Sequence, residues 1–275
     1  MSSYRNVASL ATKNIVAILL SIVTLLPFLV VVLNSFATQA GADAMQLHIP
    51  KVPQWSNYAV VIQQGGLVNA FVQSMLLSCF SVAVATVLAA MASFVLSRNG
   101  SRTNRVIYYI VVTGIALPVN YVALMKIMQL LHLVNTTFGV GLLYAAVQIP
   151  FDVFLVYGFV SSIPAELDEA AFIDGANALT LFFRVIFPLL KPVLTTIVLL
   201  SFIGAWNDFV TPLYYLNSAK KWPMTLAVYN FFGQYQSSWN LVCADVVLTT
   251  LPVIALYLAG QRHIVAGMTA GAVKG

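Results

Sequence analysis

Eight acidic side chains among 275 residues are few enough to weigh singly, and all but Asp43 fall into two groups. Glu166, Asp168, Glu169 and Asp174 crowd into one polar stretch, whereas Asp152, Asp208 and Asp245 stand inside long apolar runs. An acid at the centre of a bilayer costs about 3 kcal/mol on insertion scales, so the second group is a candidate set for ion transfer or for hydrogen bonding to a polar solute. Asp208 follows Trp206 and Asn207, and an aromatic face beside an amide and a carboxylate is a combination that suits sugars. Catalysis has little to work with. His48, His132 and His263 stand alone in different loops, and Cys79 and Cys243 fall in apolar runs, where a small buried hydrophobe is the plain reading. No metal site or catalytic triad is visible. With no Gly-x4-Gly-Lys-Ser/Thr loop, this chain holds no nucleotide by that route and is expected to carry no cofactor.

The composition says what solvent surrounds these groups. Sixty per cent of the residues are hydrophobic and 8% charged, too few charges to clothe a soluble surface. A hydrocarbon core about 30 Å thick needs roughly 20 apolar residues of helix. Six runs meet that length, at 15–36, 70–96, 106–131, 138–160, 193–216 and 241–260. They predict an all-α, polytopic membrane protein with six transmembrane helices, kinked at Pro27, Pro118, Pro150, Pro212 and Pro252. The first run exceeds a signal-peptide core and no small-residue cleavage site follows, so it is expected to remain as a span. Residues 1–14 are then an N-terminal segment, 15–262 the transmembrane domain, and 263–275 a tail. With the N-terminus inside, Arg5, Lys13, Arg98, Arg102, Arg105, Arg184, Lys191, Arg262 and Lys274 face the cytoplasm. Only Lys51, Lys126, Lys220 and Lys221 face out, which places both termini in the cytoplasm. Residues 37–69, with Pro50, Pro53 and Trp55, read as an ordered outer cap.

The polar loop 161–192 holds half of the acids. Pro164 suits a first helical turn and the acids suit its positive end, predicting a helix over 164–174 that Gly175 terminates. A second helix is expected over 178–187, stopping at Pro188. Leu167, Ala170, Ala171 and Asp174 share a face whose alanines permit close approach, with Glu169 beside it to meet a basic group. Spacing alone fits an ordinary interfacial amphipathic pair equally well.

The residues themselves are more specific. Glu169-Ala170-Ala171, Asp174-Gly175-Ala176 and Val185-Ile186-Phe187-Pro188-Leu189 resemble the signature loop of the membrane subunits of binding-protein-dependent ABC importers. Val185 stands for the usual isoleucine and Phe187 for the usual leucine. The resemblance implies that Glu169, Ala170, Ala171, Asp174 and Gly175, with Pro188, form a cytoplasmic two-helix coupling loop that docks in a separate ATPase subunit. Asn57-Tyr58, the 133–136 turn, Pro150-Phe151, Trp206 to Phe209, Pro212-Leu213 and residues 267–275 are similar to the carbohydrate-importing, maltose-type branch. That likeness implies a permease pairing with a second, homologous permease in the bacterial inner membrane. Two ATPase subunits carrying ATP and Mg would lie beneath, and an extracytoplasmic solute-binding protein above.

The intramembrane polar residues stay ambiguous at this point. Asp208 fits either the substrate pathway or a hydrogen bond bracing the Pro212 kink; Asp152 fits a wet cavity or a nearby backbone partner, and Asp245 fits solvation at the outer mouth or a cation of a partner subunit. Tyr214 and Tyr215 read as an interfacial belt. The rival function is an ion-coupled secondary transporter using Asp152, Asp208 and Asp245, and a further alternative is an ABC permease for a non-sugar solute.

Overall fold

The computed structural model describes residues 2–232 and 237–272, with side chains for 12–232 and 237–262. Among these residues the regular structure is helical, and the one β feature is an isolated bridge between Phe232 and Ser237. The chain gathers into two compact units, residues 1–68 with 227–251 and residues 69–226 with 252–275.

In the first unit the Ser2–Ser35 helix carries an apolar stretch, Thr12–Ser35, that buries none of its most hydrophobic window within the chain. Its end is tied by polar groups. Asn57 Nδ2 donates to the carbonyls of Ser35 (2.8 Å) and Ala37 (2.9 Å), and Asn240 Nδ2 donates to Asn57 Oδ1 (2.9 Å). The Ser35 and Tyr58 hydroxyls share a bond of 2.7 Å, and Phe36 meets Trp55 edge-on. These contacts tie the segment after Ser35 to the helix that follows, and Asn57-Tyr58 owes its place to this knot. Asp245 is buried here, with Oδ1 lacking a hydrogen bond.

The second unit is built on the Leu67–Arg98 helix, whose Ser78, Ser81, Ala85, Ala89 and Ser93 are all buried. Small side chains on one face let neighbouring helices approach closely. Ser93 Oγ donates to Val153 O on the Thr137–Val160 helix at 3.2 Å. That helix packs in turn on Arg102–Thr113 and Lys191–Asn207. Cys79, expected to be buried, is exposed on the Leu67–Arg98 helix, while Cys243 is buried. An outward-facing thiol is as compatible with hydrocarbon as a buried one.

Two of the six apolar runs are interrupted. The 106–131 run becomes two short helices, Arg102–Thr113 and Tyr121–Leu130. Gly114 lies so close to Pro150 that a Cβ there would sit 2.9 Å from its Cγ, and Asn120 restarts the chain by accepting from Ala123 N. The 193–216 run ends its first helix at Asn207 and resumes at Val210–Tyr215. Four described helices are therefore long and apolar enough to cross a membrane, or five when Ala178–Leu189 and Lys191–Asn207, bent by 77°, count as one. The sequence count of six took each proline-bearing run as kinked but continuous.

The helix expected to stop at Pro188 instead continues through it. Ala178–Thr180 passes into a π-helical turn over Leu181–Ile186, and Phe187–Leu189 follows. In an α-helix a proline clashes with the carbonyl four residues back; the wider π register, in which Phe187 N donates to Phe182 O, shifts that carbonyl and relieves the conflict. Leu181, Phe182 and Ile186 then bury against Ala90, Val156, Val160 and Ile197.

The Trp239–Ala272 helix runs through Pro252. Its backbone extends beyond Arg262 into the segment expected to be a tail; the side chains of residues 263–272 and all of residues 273–275 lie outside the described residues.

Candidate functional site

Two places in the second unit bear on function. The first is a cavity of about 420 Å³, within the range of sites that enclose small molecules. Its wall comes from three elements. Tyr121 begins its helix just after the Asn120 cap, while Tyr144, Gln148 and Phe151 recur along one face of Thr137–Val160. Ser201, Gly204 and Asp208 recur along the facing side of Lys191–Asn207 and its C-cap. Three- and four-residue steps on two packed helices thus bring the polar groups to one space.

The groups form a partly satisfied network. Gln148 Nε2 donates to Ser201 O at 3.3 Å, and Ser201 Oγ donates to Asp152 Oδ1 at 3.2 Å. Gln148 Oε1 and Asp152 Oδ2 are buried without hydrogen bonds in the chain, and the Tyr144 hydroxyl lies beside Asp208. Unpaired buried polar atoms are uncommon in native proteins and call for a role. Beside aromatic faces in a cavity of this size, that role suits a hydroxylated solute, which both donates and accepts.

Asp208 has a structural task as well. It follows the last helical residue with extended geometry (φ −70°, ψ 128°), and its Oδ1 accepts from Val210 N (2.9 Å) and Thr211 N (3.3 Å). It therefore caps the short helix that contains Pro212, the bracing role open to it in the sequence, while also lining the cavity.

The other candidates separate. Asp152 is fully buried behind the wall and holds Ser201. Trp206 is buried, stacked on Phe202 and edge-on to Phe71, so it packs the core instead of facing the cavity. Asn207 is exposed at the helix end, and Asp245 is not among the lining residues. Tyr215, read as part of a belt, is fully buried with its hydroxyl donating to Tyr121 O at 2.8 Å; Tyr214 stacks on Tyr121. The sequence reading missed Tyr144, Gln148 and Ser201. The i, i+4 spacing of Tyr144 and Gln148 in an apolar run was the available signal.

The second place is the loop helix, Glu166–Ile173. It stops as its sequence dictates. Ala176 N donates to Ala171 O (2.9 Å) and Gly175 N to Phe172 O (3.0 Å), with Gly175 at φ +83°. This paired closure needs a left-handed residue, which glycine supplies without strain. Asn177 then caps the next helix by accepting from Thr180 N at 2.8 Å. Ala171 packs against the chain's own core, so that alanine serves internal approach. Glu169, Ala170 and Asp174 are exposed, and so are two large apolar side chains, Phe172 (55%) and Ile173 (86%). Pro188 is exposed within the following helix.

Comparison with known proteins now bears on both places. The sequence pattern described as "Binding-protein-dependent transport system inner membrane component" matches residues 81–270. A melibiose/raffinose/stachyose import permease of Bacillus subtilis is 30% identical over 96% of this chain and 98% of its own. A multiple sugar-binding transport system permease of Streptococcus mutans is 33% identical over 92% and 93%. A probable starch degradation products transport permease of Thermoanaerobacterium thermosulfurigenes is 30% identical over 94% of each chain. Among solved structures, a chain of a bacterial ABC transporter involved in importing the acidic polysaccharide alginate superposes with a TM-score of 0.80. At 23% identity over 94% of this chain and 96% of that one, it supports the fold.

Proposed function

This chain belongs to the binding-protein-dependent transport system inner membrane components, and we propose that it carries sugars or oligosaccharides across the membrane as one of two permease subunits. It is a multi-pass protein of the inner membrane and a transport subunit, not an enzyme; its family works with a solute-binding protein and an ATPase. Homology to sugar permeases favours this over an ion-coupled transporter. The finer reading has both termini in the cytoplasm, residues 15–262 as the permease domain, and a homologous second permease completing the pathway.

The exposed pair Phe172 and Ile173 carries the coupling part of the proposal. Large apolar side chains projecting from a short helix beside the acids Glu169 and Asp174 suit a protein cleft that is apolar within and basic at its rim. That cleft belongs to the ATPase. ATP-driven closure of the ATPase pair draws the coupling helices together, and the bent pair Ala178–Leu189 and Lys191–Asn207 passes the displacement to the spans. The cavity at Tyr144, Gln148, Ser201 and Asp208 receives the sugar while the pathway is open outward. Glu169→Lys should abolish uptake while the protein still inserts and is expressed; normal uptake would sink the coupling role. Measuring ATPase stimulation of the reconstituted complex across a panel of mono- and oligosaccharides, with its binding protein, tests the cargo.

A further inference from the structure

The end of the Leu67–Arg98 helix makes a contact that no docking or transport role yet uses. Arg98 closes that helix, where a cation is favoured by the exposed carbonyls. Its guanidinium reaches across to the loop: Nε lies 2.7 Å from Asp168 Oδ2, and Nη2 donates to Asp168 Oδ1 at 3.2 Å. Nη1 donates to Ile163 O at 2.9 Å and Nη2 also reaches Pro164 O at 3.5 Å. Surface ion pairs contribute little, but here the side chains expose 19% and 13% of their surface, and the ion pair is joined by three hydrogen bonds from the two Nη atoms. The carbonyls of Ile163 and Pro164 lie in the connection between Val160 and Glu166, so one planar group grips both the turn and the first turn of the coupling helix. A lysine has a single nitrogen and cannot spread its donors over these acceptors in the same way.

We propose that Arg98 is a positioning residue that locks the coupling helix to the end of the Leu67–Arg98 helix, so that the two move as one body when the ATPase pulls. This rests on the docking role assigned above to Glu166–Ile173. Asp168 is thus set apart from its neighbours: Glu169 and Asp174 face outward to a partner, whereas Asp168 faces inward to its own chain. Without the lock, Ala171 still touches the core, but the helix can pivot about that contact and the ATPase stroke is absorbed in the loop.

The test places spin labels at Val95, exposed on the long helix, and at Glu166, in a chain with Cys79 and Cys243 changed to alanine. The assembled complex in nanodiscs is measured by pulsed electron resonance without nucleotide and with ADP and vanadate. With Arg98 present, one narrow distance is expected, unchanged between the states. Arg98→Gln should broaden the distribution and make it shift with nucleotide; Asp168→Asn should do the same more weakly, and Arg98→Lys should fall between. If Arg98→Gln does not assemble, Asp168→Asn carries the test alone. An unaltered narrow distance in the variants overturns the proposal, as does a wild-type distance that changes with nucleotide. A purely structural role would lower the yield of complex and leave the distribution of what assembles intact, which also counts against it. Ile173→Asp separates the underlying reading: ATPase binding undisturbed by that change defeats the docking role itself, whatever Arg98 does.

Discussion

Ile173→Asp is the most direct test of the docking surface, and the size of its effect follows from exposure. Covering a whole isoleucine or phenylalanine side chain is worth about 1.5–3 kcal/mol. With 86% of Ile173 and 55% of Phe172 exposed, a partner that covers them gains about 2 kcal/mol from the first and about 1 kcal/mol from the second. Each 1.4 kcal/mol is about tenfold in affinity, so Ile173→Asp should weaken ATPase binding by roughly 30-fold and Phe172→Asp by about fivefold to tenfold. The new carboxylate would also have to be desolvated against the neighbouring acids, so 30-fold is the lower figure. The assay titrates purified ATPase subunit onto the tagged permease complex in detergent and reads the dissociation constant. Ile49→Asp is the control: Ile49 is 76% exposed but lies in the 37–55 segment, and its loss should leave ATPase binding unchanged. Wild-type affinity for the Ile173→Asp complex, or an equal loss for Ile49→Asp, would refute the assignment of this face.

Three further outcomes follow from the same geometry. Asp208→Ala should cost about 1–2 kcal/mol of stability through the lost helix cap, while Asp208→Asn should keep most of it; thermal unfolding reads the stability, and uptake by Asp208→Asn tells whether the charge is needed as well as the cap. Gly204→Leu should block sugar uptake yet leave assembly and ATPase binding intact, because Gly204 lines the cavity and a Cβ there meets nothing within 4 Å; normal uptake would remove the cavity from the pathway. Gly175→Ala should cost about 1 kcal/mol, all of it from holding φ near +83° since a Cβ there also has open space, and Gly175→Asn less; a thermal shift for alanine no larger than for asparagine would contradict this.

The loop was the most legible part of the sequence because its signals are local. Proline, acids and Gly175 each act within a few residues on the backbone, and the helix lies at Glu166–Ile173, inside the expected 164–174 and beginning two residues after Pro164. The third apolar run breaks around Pro118, where a kink was expected, but more widely than a kink, because Gly114 sits against Pro150 and hydropathy carries no trace of that contact. Pro188 was misread for a related reason, since a π turn that admits proline is stabilised by burying Leu181, Phe182 and Ile186 on other helices.

The acids show the same division most clearly. Their positions left Asp208 open between the pathway and the Pro212 kink, and the resemblance assigned the 166–174 cluster to a partner, but composition does not say which way a side chain faces. Asp168 turns inward because Arg98, seventy residues earlier, ends its helix beside it. Asp152 is withdrawn behind Ser201, leaving Gln148 and Ser201 to present the polar surface. An isolated acid in an apolar run therefore identifies a polar neighbourhood more reliably than it identifies the group that meets the solute. For Asp152 the consequence is specific: Ser201→Ala should disturb uptake by leaving both carboxylate oxygens unpaired, and Asp152→Asn should preserve it by keeping an acceptor for the serine. Loss of uptake in Asp152→Asn with full uptake in Ser201→Ala would place the charge itself in the pathway and reverse that ordering.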